Sequence, residues 1–272
     1  MRTVILVHGF WHGTWCWSPV TAQLAARGVP SVAVDLDGHG LRARYPHARW
    51  RRPFDPGAFA TEVSPVAGIT ASSAAESLVA DIRLIGGGAP CVVVAHSMGG
   101  AVATAAAELD PSLFSHLVYV TAFAPVSGTA SADYIAAPEN AGEMVTRLIG
   151  ADPAVVGALR VDAGQQAAVR ETFYHDVDPA TADAAIGLLS PDGPAGITGE
   201  QLTVTRDRYG AVPHSYVVCA KDQVIPDPLQ RRFVREIDAV SAAPTSVTEL
   251  DAAHSPFLSH PGELAEAIAA RW

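Results

Sequence analysis

Three residues in this chain have the types and settings for nucleophilic catalysis. In that chemistry a hydroxyl attacks, an imidazole takes its proton and a carboxylate orients the imidazole. Ser97 lies in "VVVAHSMGGAV" (Val92–Val102), between a β-branched run and an Ala/Gly-rich run. That order predicts a strand over Cys91–Ala95, a sharp turn at His96, Ser97 and Met98, and a helix from about Gly99. This is the setting of a nucleophile exposed on strained backbone. The residues two before and two after such a serine must be small. Gly99 meets that demand, and Ala95 stands where G-x-S-x-G has its first glycine. The helix N-terminus beneath Ser97 favours the negative charge that develops during attack. A serine in an ordinary loop is the bland alternative; the strand before and the helix after weigh against it.

The base and the acid follow from chain order. In a strand–turn–helix site of this kind the acid and then the histidine come after the serine, each past the end of a strand. The apolar run Ser246–Leu250 leads directly to Asp251 and His254, and His254 is the base we select from ten histidines. His8 and His39 flank glycine turns, His96 is the variable position of the elbow, and His116, His175, His214 and His260 suit surface or packing roles. After Leu117–Thr121 no carboxylate occurs until Asp133, whereas Asp222 stands just past Ser215–Ala220. Asp222 is therefore the acid; Asp227 is a weaker candidate, and Asp207 precedes the strand. An oxyanion needs two backbone N–H donors. Met98, after the nucleophile, supplies one, and Phe10, in the turn after Val4–Val7, supplies the other. The turn Asp35–Gly40 reads as scaffold.

Short apolar strands alternate with helical stretches, which predicts a mostly parallel sheet covered by helices. The strands expected are Val4–Val7, Ser31–Asp35, Cys91–Ala95, Leu117–Thr121, Ser215–Ala220 and Ser246–Leu250. Helices are expected from Ser18 to a stop at Gly28, over Ala74–Ile85, and over Pro261–Arg271. Two segments interrupt the alternation. Residues 42–71 form a loop-like insertion with five arginines between Arg42 and Arg52. Residues 126–204 read as a helical cap over one edge of the sheet, leaving 1–125 and 205–272 as the core. The arginines read as a solvated loop, with contact to a substrate carboxylate or phosphate as the rival reading.

Composition sets the outer limits. The chain has 272 residues, 49% hydrophobic and 17% charged, enough for one domain with a large core. A net charge of −10 argues against nucleic acid or an anionic membrane as a partner. No apolar run approaches the ~20 residues that span a bilayer, and the first apolar run is too short for a signal peptide. A cytoplasmic protein is expected. Cys16, Cys91 and Cys219 are too few and too scattered for a disulfide framework or a zinc site. One basic residue is lysine, Lys221; the others are arginines, which with abundant Ala and Gly suggests a GC-rich bacterial genome.

The stretches "VILVHGFWHGTWCW" (Val4–Trp17), "AHSMGG" (Ala95–Gly100), "YVVCAKDQVIPDPLQRRF" (Tyr216–Phe233) and "ELDAAHSPFLSHP" (Glu249–Pro261) resemble the α/β-hydrolases. The resemblance is to the plant methyl-ester esterase and hydroxynitrile lyase group with its bacterial relatives. It implies the α/β-hydrolase fold, a Ser97–Asp222–His254 triad, and Phe10 and Met98 amides as oxyanion donors. The lyases of that group carry threonine at the place of Gly9 and lysine directly after the catalytic histidine, where this chain has Ser255. Hydrolysis is therefore expected: cleavage of a small or medium apolar carboxylic ester through an acyl-enzyme, with methyl esters and lactones as candidates. A slow-turnover receptor, a C–C lyase and a type-II thioesterase are the rivals. The expected partner is a small ester, with no cofactor or metal, and a homodimer stays open. Trp11, Phe123, Tyr134 and Phe257 are the expected substrate pocket, with Met144, Phe173 and Tyr174 as further cap residues.

Overall fold

The computed structural model describes residues 2–162 and 164–272. Six strands form one parallel sheet: β1 (Val4–Val7), β2 (Ser31–Val34), β3 (Cys91–Ser97), β4 (Phe114–Ala122), β5 (His214–Cys219) and β6 (Ser246–Leu250), in the order β6-β5-β4-β3-β1-β2. β1 lies between β2 and β3, with Val4 opposite Ser31 on one side and Val92 on the other. Every residue of β1 and β3 is buried, because helices cover both faces of the sheet. Alternate side chains serve the two faces. Val4, Leu6, Val92 and Val94 pack with Trp17, Leu24 and Leu264 beneath α1 (Ser18–Ala26) and α5 (Pro261–Ala269). Ile5, Val7, Val93 and Ala95 pack on the other face under α2 (Ala71–Gly86), α3 (Gly99–Leu109) and α4 (Asp227–Val240). The expected α/β-hydrolase architecture is the observed one.

Boundaries differ where side-chain chemistry overrides periodicity. α2 starts at Ala71 rather than Ala74, because the Thr70 hydroxyl accepts from the Ser73 amide at 3.2 Å and Ser73 Oγ accepts from the Thr70 amide at 3.0 Å. β4 starts at Phe114, three residues before the expected Leu117, and β3 continues through Ser97 itself. Near the C-terminus a separate turn, Pro256–Ser259, precedes α5.

The insertion contains a short helix, Pro56–Thr61, whose first turn is capped by Asp55 Oδ1 accepting from the Ala58 amide at 3.0 Å. Arg42 pairs with Asp81 of α2 at 2.9 Å. The excursion over 126–204 is helical in part, with Gln166–Phe173 and Pro179–Leu188 its longest helices. It also holds two antiparallel ladders that were not foreseen, Ser127–Ala130 with Gln201–Thr203 and Ala158–Arg160 with Asp192–Pro194. Arg160 and Asp192 face each other across the second ladder as a buried bidentate pair, with both N···O distances 2.7 Å. Ser64 donates to the same carboxylate at 2.6 Å, and Arg160 Nη1 donates to the carbonyls of Phe59 and Glu62. That network fastens the insertion to the excursion. Cys16, Cys91 and Cys219 are free and buried. Among the described residues no helix is long and apolar enough to cross a membrane.

Candidate active site

At the C-terminal end of β3 the backbone turns so sharply that Ser97 takes a φ of 51°, a left-handed value that non-glycine residues rarely hold. Close packing requires the turn. A Cβ at Gly99 would lie 2.2 Å from the His8 carbonyl oxygen, so only glycine lets α3 begin this near the end of β1. The Ser97 carbonyl accepts from the Phe123 amide at 3.0 Å, which ties the elbow to the end of β4. The pairing of β3 with β4 shifts register between His96 and Ser97.

Three separate strand ends bring Ser97, His254 and Asp222 together. His254 Nε2 lies 3.1 Å from Ser97 Oγ, and His254 Nδ1 lies 2.8 Å from Asp222 Oδ2. A carboxylate only accepts, so Nδ1 carries the proton and Nε2 is left to receive the serine's. Asp222 is itself held from both sides. Its Oδ1 accepts the amides of Val224 at 2.6 Å and Ile225 at 3.0 Å, and its Oδ2 also accepts the Thr121 hydroxyl. The His254 carbonyl accepts from His96 Nε2 at 2.8 Å. Burial, reinforced by His254, holds His96 well below the usual histidine range, so it stays neutral. Asp227, the weaker candidate, stands apart in an exposed ion pair with Arg231 at 3.1 Å.

The loop after β1 faces the serine. A Cβ on Gly9 would come within 2.5 Å of Ser97 Cβ, so the loop can lie this close only with glycine there. Each carbonyl of the next stretch is occupied. Gly9 O accepts from His8 Nδ1 at 2.7 Å, Phe10 O from His12 Nδ1 at 2.8 Å, and Trp11 O from the Ser190 amide at 2.8 Å. His12 Nε2 in turn accepts from the Tyr174 hydroxyl at 2.8 Å. Burial pushes the His12 pKa down to about 3, which keeps the ring neutral and able to accept. The Phe10 and Met98 amides make no hydrogen bond among the described residues. Two unpaired N–H groups beside a nucleophile suit a developing oxyanion.

A small cavity of about 60 Å³ opens on Ser97. Phe10, Trp11, Met98 and Phe123 line it from the core, and Ile135, Val145, Ile149 and Leu159 from the excursion. Trp11 Nε1 donates to the Leu159 carbonyl at 2.9 Å and so joins the two walls. Tyr134 and Phe257 do not line this cavity, contrary to expectation. The Tyr134 ring packs on Phe233 and its hydroxyl reaches Glu236. Phe257 is buried between Trp17 and His96, behind the triad rather than in front of it. Met144, Phe173 and Tyr174 are likewise absent from the lining; Phe173 packs against Trp11. Thr121, His12, Asn140 and Glu143 escaped sequence reasoning. For Thr121 and His12 a signal existed, since Thr121 ends a core strand and His12 lies in the oxyanion turn.

The model of the alpha/beta hydrolase family matches residues 4–267. Methylesterase 7 of Arabidopsis thaliana is 27% identical over 273 residues, covering 97% of this chain and 93% of the relative. A pyrethroid hydrolase of Sphingobium wenxiniae is 27% identical over 278 residues, covering 98% of this chain and 86% of the relative. Among solved structures, the pyrethroid hydrolase from Sphingobium faniae superposes with a TM-score of 0.79 at 24% identity, over 99% of this chain and 96% of that one. On a match that runs from β1 to within α5, the chain belongs to the alpha/beta hydrolase family.

Proposed function

We propose that the protein cleaves carboxylic esters of small or medium apolar substrates by way of an acyl-enzyme on Ser97. The observation that carries this reading is the hydrogen-bonded line from Ser97 Oγ through His254 to Asp222, beside two unpaired amides. His254 Nε2 takes the Ser97 proton as Oγ attacks the ester carbonyl. The carbonyl oxygen becomes an oxyanion held by the Phe10 and Met98 N–H groups. The tetrahedral species collapses as His254 returns the proton to the departing alcohol, leaving the acyl group on Ser97. Water, deprotonated by His254, then releases the acid by the reverse sequence. Asp222 fixes the tautomer of His254 and stabilises its protonated form. The apolar cavity supports an apolar substrate, and the names of the relatives, methylesterase and pyrethroid hydrolase, agree with an ester.

Among the described residues, the cavity beside the serine is lined by no lysine or arginine that would serve the lyase reading. Lys221, the single lysine, is paired with Asp251 at the surface at 2.7 Å, and Ser255 follows His254. The test is Ser97→Ala with a panel of p-nitrophenyl esters, methyl esters and lactones. The rate is expected to fall on the order of 10³-fold or more, with fluorophosphonate labelling lost from the folded variant. Full activity in Ser97→Ala, or strong cleavage of mandelonitrile by the wild type, overturns the proposal.

A further inference from the structure

The cavity beside Ser97 is apolar except along one stretch of its wall, and the polar groups there point to one class of substrate. Asn140 lines the cavity and is 3% exposed. Its Nδ2 donates to the Ile135 carbonyl at 3.0 Å, which fixes the orientation of the amide. Its Oδ1 is buried and has no hydrogen-bond partner among the described residues. Buried acceptors are seldom left unpaired, because desolvation without a compensating bond is costly. Three residues on, Glu143 lines the same wall. Its Oε2 accepts the amides of Val145 at 2.7 Å and Thr146 at 3.1 Å, while Oε1 accepts nothing among the described residues. Two residues with an unpaired acceptor therefore belong to a lining that, among the described residues, holds no arginine or lysine.

We infer that this wall selects esters whose apolar body carries a hydrogen-bond donor, a hydroxyl or an amine, remote from the scissile carbonyl. Asn140 Oδ1 takes the hydrogen bond from that donor, and Glu143 adds a negative potential that favours donors and rejects a second carboxylate. The inference rests on the ester-hydrolase reading and deepens it. The discrimination has a direct physical source. A site with a buried unpaired acceptor gains more from a substrate that pairs it than from one that leaves it bare.

The experiment compares kcat/KM for three methyl esters: methyl 3-phenylpropanoate, its 4-hydroxy analogue, and its 4-carboxy analogue. Wild type is expected to favour the hydroxyl over the unsubstituted ester by about tenfold or more, and to handle the carboxylate worst. In Asn140→Leu the hydroxyl-to-unsubstituted ratio is expected to fall to near one. In Glu143→Gln, which keeps an acceptor for the two amides, the carboxylate ester is expected to recover relative to the unsubstituted one. A wild-type ratio of one or less overturns the inference even if no variant folds, and so does a ratio that Asn140→Leu leaves intact. Fluorophosphonate labelling of Ser97 and turnover of the unsubstituted ester separate the two readings. If both are present with no preference among the esters, only this inference falls; if both are absent, the ester-hydrolase reading falls with it.

Discussion

The Thr121 hydroxyl donates to Oδ2 of Asp222, the same oxygen that accepts the hydrogen bond from His254 Nδ1. Thr121 holds a φ of 36°, unusual for a β-branched residue, and the surrounding bonds maintain that strain at the end of β4. Sequence reasoning found the end of β4 empty because it sought a carboxylate there. The position instead supplies a donor to a carboxylate carried by the next strand.

Thr121→Val keeps the shape of the side chain and removes the hydroxyl. A hydrogen bond to a charged group contributes about 1.5–3 kcal/mol, and the two amides on Oδ1 still hold the carboxylate. The expected result is a fall in kcat of roughly tenfold, with the fold retained and the apparent pKa of the kcat–pH profile displaced. An unchanged kcat and profile would mean that Thr121 only packs.

Gly9→Thr tests how closely the oxyanion loop must approach the nucleophile. Its Cβ would start 2.5 Å from Ser97 Cβ, so either the loop or the serine must move. A shift of about 1 Å at reacting groups costs on the order of 10²-fold. Esterase kcat/KM should drop by that order and fluorophosphonate labelling should slow in parallel. Adding Ser255→Lys should not restore it. Wild-type labelling rates in Gly9→Thr would show that the close approach is dispensable.

Arg160→Met leaves Asp192 buried without its cation and strips a donor from the Phe59 and Glu62 carbonyls. Breaking a buried pair from one side costs about 3–5 kcal/mol. The double change Arg160→Met/Asp192→Leu should recover part of that loss, because no lone charge is left inside. Urea unfolding midpoints for the two variants and wild type decide this. A double variant less stable than Arg160→Met would mean that the carboxylate is held mainly by Ser64.

Several buried histidines give stability a definite pH dependence. Burial lowers His12 and His214 to about 3 and His39 to about 4, against 6.5 for the unfolded group. Between those values the unfolded chain binds more protons than the folded one, so the contribution is complete above pH 6.5 and is lost as pH falls towards 4 and then 3. Each group costs up to about 1.4 kcal/mol per pH unit in that window. Thermal midpoints measured from pH 8 to pH 4 should stay flat at first and then fall steeply below about 6.5. A midpoint independent of pH down to 4 would mean that these rings are not held neutral by the fold.

The three positions that the structure joins in one hydrogen-bonded line, Ser97, His254 and Asp222, were legible because each signal is local. A strand, a serine between small residues and a glycine-led helix fall within a dozen residues, and Asp222 and His254 each directly follow a strand. The pocket was not legible for the opposite reason. Nearness in sequence to a site residue does not set the direction of a side chain, so Phe257, three residues from His254, turns inward onto Trp17. Tyr134 and Ile135 are neighbours on one helical turn, and the isoleucine faces the cavity while the tyrosine packs on Phe233. The ladder between Ala158–Arg160 and Asp192–Pro194 has three residues a side, too few for any alternation to register, and one side is Asp-Gly-Pro. The polar wall formed by Asn140 and Glu143 depends on a loop path that no periodicity encodes.

The bond from Trp11 Nε1 to Leu159 O joins residues 148 apart, Tyr174 to His12 spans 162, and Ser97 to His254 spans 157. Contacts of such separation form late, since the chain must close its longest loops before they are rewarded. The central β1–β3 pairing can exist with neither oxyanion loop nor base in position. A nascent chain emerging from the ribosome would therefore carry an unactivated serine until residue 254 is released and docks, and catalytic competence would appear in one step at that point.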